Sequence, residues 1–513
     1  MRMSPQAEQF KKCLPEGLQK VADVSFSYQR SWSIISDHLK TIYGKYADPQ
    51  YCLDAYFSSG EYKNSCHIAR RFSDIPLVSV DDIKQMLFEE QEYNKTVDEL
   101  LAILKEEESE ENTNRLASLL GILPSDNPAS LFRYIIANDH IPEDERESVI
   151  DKMKCNQNLL RIITNMLTKT FTPGYLLEFS ATGCVMTQPR SRFYYRGENA
   201  YYRSSKASVY RSTDKTKPAS IQAFIDRLRL YQCWETLDKF DAVRQWGICE
   251  INYMALAQHY GFRTQMIDIT SDLKTALFFA CCKYGADQKW HPLSNVDFDH
   301  RSSRKEVAAK CRGDSRYGIL YRSPSEITDL CWCIEPAETA YEIIIPVGHQ
   351  PFMRCSQQHG YMLLAREDYD LFLDKRFEKL KFRLTEDICN WIFEEMEQGN
   401  LVYPYDDIPD ISPDFERLNA QMIIERNIFE IVANDFQLKG IDRTNALTVL
   451  KQYGFEIKEA VSVIMPERLE EINKTYSAQY AMQKMEVMPQ YSPILSIYGD
   501  TPVNKGGQLC VKN

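Results

Sequence analysis

The sequence lacks the patterns that announce the commonest chemistries. It holds no GxSxG, no Walker loop, no HExxH and no GxGxxG behind a strand, so a nucleophile elbow, a P-loop, a zincin site and a dinucleotide fingerprint are all missing. Its longest strongly apolar run, Ala276–Cys282, falls far short of a membrane span. The opening MRMSPQAEQFKKC has no apolar signal-peptide core. Fifteen cysteines are scattered without paired CxxC sets, the closest approaches being Cys281-Cys282 and Cys331-x-Cys333. That spacing suits neither a zinc framework nor a secreted disulfide scaffold. Reduced thiols, no membrane partner and a cytoplasmic location are therefore expected. Basic residues are also short, with 61 Lys and Arg against 73 Asp and Glu and a net charge of -12. A protein whose whole surface grips nucleic acid is excluded, because phosphate neutralisation needs the opposite balance.

What is present is ample apolar and aromatic material, 44% hydrophobic residues with 30 Tyr and 24 Phe, enough for packed cores in a chain of 513 residues. That length predicts two to four domains. Residues 1 to about 185 read as several short helices, from stripes at Leu100, Leu101 and Leu104, at Leu116 to Ile122 and at Leu159 to Met166. The acidic run Lys105 to Asn112 reads as a solvated face. After Gly183 the texture turns aromatic and β-favouring. Phe193, Tyr194 and Tyr195 predict a strand leading to Arg196, with Gly197 free to adopt a backbone conformation other residues avoid. Between Arg190 and Lys217 eight basic residues face two acids, Glu198 and Asp214. This Tyr-rich strip suits a phosphate-bearing ligand, through Arg forks and stacking rings; internal ion pairing is the alternative.

Ile221 to Leu237 predicts an amphipathic helix, and the stretch Leu256 to Ala280 predicts a helix, strand and helix in tight succession. The first helix stops at Gly261, the strand spans Thr264 to Ile269, and the second helix runs from about Leu273 to Gly285. Polar groups gather at the joints: Gln258, His259, Arg263, Gln265 and Asp268. His259 can serve as a helix-end hydrogen bond or as a proton-transfer group, and Asp268 as a cap for the following helix or as a ligand. His291 to Arg316 reads as an insertion, Gly318 to Tyr321 and Tyr341 to Val347 as strands, Gln358 and His359 as part of a strand-like segment, and Ile388 to Met396 as a helix. His259, Asp268 and Cys281 are too few to predict a metal site.

The pieces FYYRGEN (Phe193 to Asn199), SVYRS (Ser208 to Ser212), LAQHYGFRTQMIDITSDLKTALFFA and RCSQQHGYML (Arg354 to Leu363), in that order, resemble the FRG domain. The similarity covers about 190 to 415. It departs where Arg263 replaces the usual Pro and Gln265 the usual Arg, so that either Arg263 takes over that contact or the site is altered. The resemblance implies an α+β protein, with small β-sheets packed against helices at 186-415. Helical flanks at 1-185 and 416-475 and a loosely ordered tail at 476-513 complete the expected plan. By analogy with the ADP-ribosyltransferase plan, it implies NAD as the bound nucleotide, held by Arg196, Gly197, Arg211, Gln258 and Arg263. The same analogy puts catalytic roles at Glu198, His259, Asp268 or Gln358, and a setting in bacterial defence. A neutral Gln at 358 cannot offset a ribosyl cation as Glu does. A non-catalytic nucleotide sensor, with the helical flanks binding a protein partner, and nucleic-acid binding through residues 190-217 remain the alternatives.

Overall fold

The computed structural model describes residues 26–27, 48–58, 71–106, 109, 111–112, 115, 176–179, 183–186, 192–211, 217–246, 250–287, 289–298, 314–325, 344–352, 354–403, 411–435, 445–460 and 464–476. The stripes at 116–122 and 159–166, Arg190, Lys215, the centre of the 291–316 insertion and the tail beyond 476 lie outside them.

A seven-stranded mixed sheet organises the chain. Its strands are β1 (Leu77–Val78), β2 (Phe193–Glu198), β3 (Met266–Thr270), β4 (Tyr317–Pro324), β5 (Ile344–Pro346), β6 (Gly360–Leu364) and β7 (Glu378–Arg383), in the spatial order β5-β6-β3-β2-β4-β7-β1. All neighbours run antiparallel except β7 and β1. Alternation along the strands separates two faces. Phe193, Tyr195, Leu320, Leu380 and Phe382 point to one, where α1 (Val80–Lys105), α4 (Leu273–Cys281) and α6 (Glu386–Glu395) pack. Tyr194, Ile267, Ile269, Ile319, Tyr321 and Leu363 point to the other, covered by Leu371, Phe372 and Phe377. The α+β class is as expected.

Residues before the central segment enter this core, and residues after 420 build a separate one against it. Helix α1 begins at a capping box in which Ser79 and Asp82 bond each other's backbone N–H. It carries Glu90 to the Tyr195 hydroxyl, which donates at 2.7 Å. On the C-terminal side, α2 (Ala219–Leu237) buries Phe224, Ile225 and Leu228 against Ile424, Ile428, Phe429 and Leu450 of the segment after 420.

The short element α3 (Tyr253–His259) ends as the sequence predicts, with Gly261 in the left-handed region at φ 83°. Helix α4 is shorter than predicted. It stops at Cys281, and Cys282–Tyr284 pairs as a strand with Trp290–Pro292, so Lys283 is in a hairpin rather than a last helical turn. The aromatic pairing of Tyr284 with Trp290 outweighs continuation of the helix. The single turn α5 (Arg354–Gln357) also replaces part of an expected strand, and Gln358 and His359 form the bend into β6, with His359 at φ 46°.

Candidate functional site

Strands β2 and β3 share one ladder pair among the described residues, Tyr195 with Thr270. Past it they part. Arg196, Gly197 and Glu198 continue pairing with Tyr321, Leu320 and Ile319 on β4, while Asp268 pairs with Met362 on β6. A split in the middle of a sheet leaves backbone groups wanting partners. The Arg196 side chain supplies one, its Nη1 donating to the Asp268 carbonyl at 2.9 Å. Its Nε meets Glu198 Oε1 at 3.3 Å.

Glu198 is buried and fully engaged. It accepts from Ser205 Oγ at 2.6 Å and from the Tyr321 hydroxyl at 3.2 Å. Burial, and then the Glu198 charge, push the Tyr321 hydroxyl far above its usual pKa, so it stays a donor. Gly197 is not in a left-handed conformation, contrary to the expectation. Its role in the fold is steric, since a Cβ there would lie 1.8 Å from the Ala276 carbonyl oxygen of α4. The close crossing of α4 over β2 therefore excludes any side chain.

Arg211 follows the turn Ser208–Tyr210 and reaches the same split. Lost hydration, and then the Arg196 guanidinium, lower its pKa, while Glu198 and Asp268 act in the opposite sense. Two guanidiniums are thus close enough to repel each other at a partly shielded site, the arrangement that an anionic ligand relieves. Arg263 is directed elsewhere. Its guanidinium donates to the carbonyls of Ser208, Val209 and Arg211 and pairs with buried Asp226 at 3.1 Å. Gln258 accepts from Thr264 Oγ1 and ties the end of α3 to the approach to β3.

Asp268 is the exception on β3, exposed between Ile267 and Ile269 in a strand whose other residues are buried. It does not cap α4. Asp272 does, accepting from Thr275 N at 2.7 Å and from Thr275 Oγ1 at 2.6 Å. The Asp268 carboxylate is therefore left for the cleft. On its far side lies His259, whose pKa burial lowers to about 4; Asp268 opposes that shift and Arg354 adds to it. The His259 ring is therefore neutral at pH 7, with Nε2 3.6 Å from Cys355 Sγ. Burial pushes the Cys355 thiol up to about 12, so it is a packed thiol rather than a thiolate. Arg354 lies over the rings of Tyr403, at 4.5 Å, and Tyr260, at 5.6 Å. Gln358 is buried; its side-chain amide Nε2 donates to the Val402 carbonyl at 3.2 Å, and its backbone carbonyl accepts from Thr270 Oγ1 at 2.8 Å.

The fold thus brings Arg196, Glu198, Arg211, Asp268 and His259 into one neighbourhood. Arg263 and Gln358 hold backbone carbonyls around it, Gln258 holds the Thr264 hydroxyl, and Gly197 admits α4. Cys355, Tyr403, Ser205 and Tyr321 join the site without having been singled out. Arg354 and Cys355 lay in the RCSQQHGYML motif, whereas spacing along the chain carries no signal for a Tyr 135 residues after Asp268. Among the described residues no group of three or more His, Cys, Asp or Glu is placed to hold a metal ion, and no helix is long and apolar enough to cross a membrane.

Neither curated proteins nor solved structures give a match to the chain. The family model of the FRG domain matches residues 191–289, the segment that supplies β2, α2, α3, β3 and α4 and with them Arg196, Glu198, Arg211, His259 and Asp268. The chain is therefore an FRG domain-containing protein.

Proposed function

We propose that the split between β2 and β3 binds NAD and cleaves its bond to nicotinamide. The observation that carries this reading is Asp268, an exposed carboxylate in the middle of a buried strand, whose backbone carbonyl holds Arg196 and whose charge acts on Arg211. Arg196 and Arg211 hold the pyrophosphate in forked hydrogen bonds. Asp268 faces the ribose, where positive charge develops as the glycosidic bond breaks, and offsets it. Nicotinamide leaves, and either water or a nucleophile on a macromolecule takes the ribosyl carbon, giving hydrolysis or ADP-ribosyl transfer. Glu198, spent on Ser205, Tyr321 and Arg196, orients Arg196. We place this activity in the cytoplasm, as an effector of bacterial defence, with the helical flanks contacting a protein partner.

A nucleotide sensor without turnover is the second reading. It is favoured by the neutrality and engagement of Gln358, which leaves Asp268 as the single uncommitted carboxylate of the cleft. The nucleic-acid alternative has less support, because Arg192 of the basic segment is buried and paired with Glu89 rather than presented on an open surface.

Calorimetric NAD binding and chromatographic nicotinamide release, measured on the whole chain, separate the readings. Asp268→Asn is expected to keep binding within about threefold and to lower turnover by about a hundredfold or more. Arg196→Ala is expected to weaken binding by about tenfold or more. Binding with no turnover in the unaltered protein would establish the sensor; neither binding nor turnover would end the NAD reading.

A further inference from the structure

Arg211 has no strand or long helix to hold it. It stands at the end of a single turn, Ser208–Tyr210, and exposed turns of this size move readily. Its guanidinium is tied locally, Nε donating to the Lys206 carbonyl at 2.8 Å, and the turn that carries it is held by contacts from the approach to β3, Val209 N donating to Thr264 O at 3.1 Å. Arg263 grips it from below. Nε and Nη2 donate to the Ser208 carbonyl at 3.0 and 2.9 Å, and Nη2 also donates to Val209 O at 3.1 Å and Arg211 O at 2.6 Å. The opposite corner of the guanidinium pairs with Asp226 on α2, a carboxylate that is itself buried and braced by Gln222 at 2.8 Å. The neighbouring Thr264 adds a second stitch, its N–H donating to Ser208 Oγ at 2.9 Å.

From this geometry we infer that Arg263 is a positioning residue for anion binding: anchored on α2 through Asp226, it holds the Ser208–Arg211 carbonyls and so sets the Arg211 guanidinium beside Arg196. Five donors in a rigid plane can satisfy three carbonyls and a carboxylate at once, which a lysine ammonium cannot. The inference rests on the reading that Arg211 contacts the pyrophosphate. It also explains why an arginine stands at 263: the side chain serves the site through Arg211 and not by touching the ligand.

The test has two arms on the whole protein. In the first, ADP is the probe, titrated calorimetrically into the unaltered chain and the Arg211→Ala, Arg263→Ala and doubly substituted chains. Each single substitution is expected to weaken ADP by about tenfold, and the double substitution no more than Arg211→Ala alone, because the two act as one unit. A double variant weakened by the product of the single effects, or unaltered affinity in Arg263→Ala, overturns the inference. The second arm needs no ligand. The amides of Tyr210 and Arg211 donate to Ala207 O and Ser208 O, and their hydrogen exchange is expected to speed up about tenfold or more in Arg263→Lys and Asp226→Asn while β2 and β4 amides are unchanged. Exchange at Tyr210 and Arg211 that matches the unaltered protein overturns the inference. If the unaltered chain does not bind ADP, the nucleotide reading fails on that result and the exchange arm decides the positioning role by itself.

Discussion

The His259 imidazole is held where taking up a proton opposes folding. Burial lowers its pKa from 6.5 to about 4, so between these values the unfolded chain binds a proton that the folded chain refuses. A depressed histidine pKa contributes stability that is full above about pH 6.5 and is lost as the pH falls toward 4. The shift corresponds to about 3 kcal/mol at most. Urea unfolding from pH 7 to pH 4.5 should therefore show a steeper loss of stability in the unaltered protein than in His259→Gln. Parallel curves for the two would refute the buried neutral imidazole. The same neutrality makes His259 a hydrogen-bond acceptor or donor to a ligand at pH 7, and not a second positive charge beside Arg354.

At the scale of elements, the decisive contrast is between two aspartates four residues apart. Asp268 sits on β3, where aspartate is disfavoured, and Asp272 caps α4, where it is favoured. Asp272→Ala should cost about 1 kcal/mol in denaturant unfolding, the usual loss on removing a cap, and leave NAD binding intact. Asp268→Asn should do the reverse, with stability kept and turnover lost. Equal effects of both substitutions on stability would mean that Asp268 is structural. Periodicity announced α2, α3 and the core of α4, because their apolar faces recur at helical spacing. It overran the end of α4, where Cys282–Tyr284 finds a strand partner eight residues on, a tertiary choice no local propensity encodes.

At the scale of the whole molecule, the family segment 191–289 supplies two strands of the seven-stranded sheet, β2 and β3. Strands β4 and β6, which flank them, come from later in the chain, and α1 covers the sheet from earlier. A fragment limited to 191–289 would leave both strands unpaired along their outer sides and Phe224, Ile225 and Leu228 of α2 without the helices after 420. It should show no cooperative urea transition and should aggregate. A sharp two-state transition for that fragment would show that the 191–289 segment is a domain by itself.

The sequence by itself determined the α+β class, the FRG domain, the glycine-terminated helix before β3 and the cast of polar residues around it, because these follow from local periodicity and from motifs that lie close along the chain. It also put Arg196, Arg211 and Asp268 forward together. Only the tertiary structure decided their duties. Whether an arginine faces a cleft, as Arg196 does, or clamps three carbonyls, as Arg263 does, depends on where α2 and the Ser208–Tyr210 turn come to rest. Whether a carboxylate is free, as at Asp268, or spent, as at Glu198, depends on a split between two strands 72 residues apart. Such pairings are set by packing over long sequence separations, where local propensity has no reach.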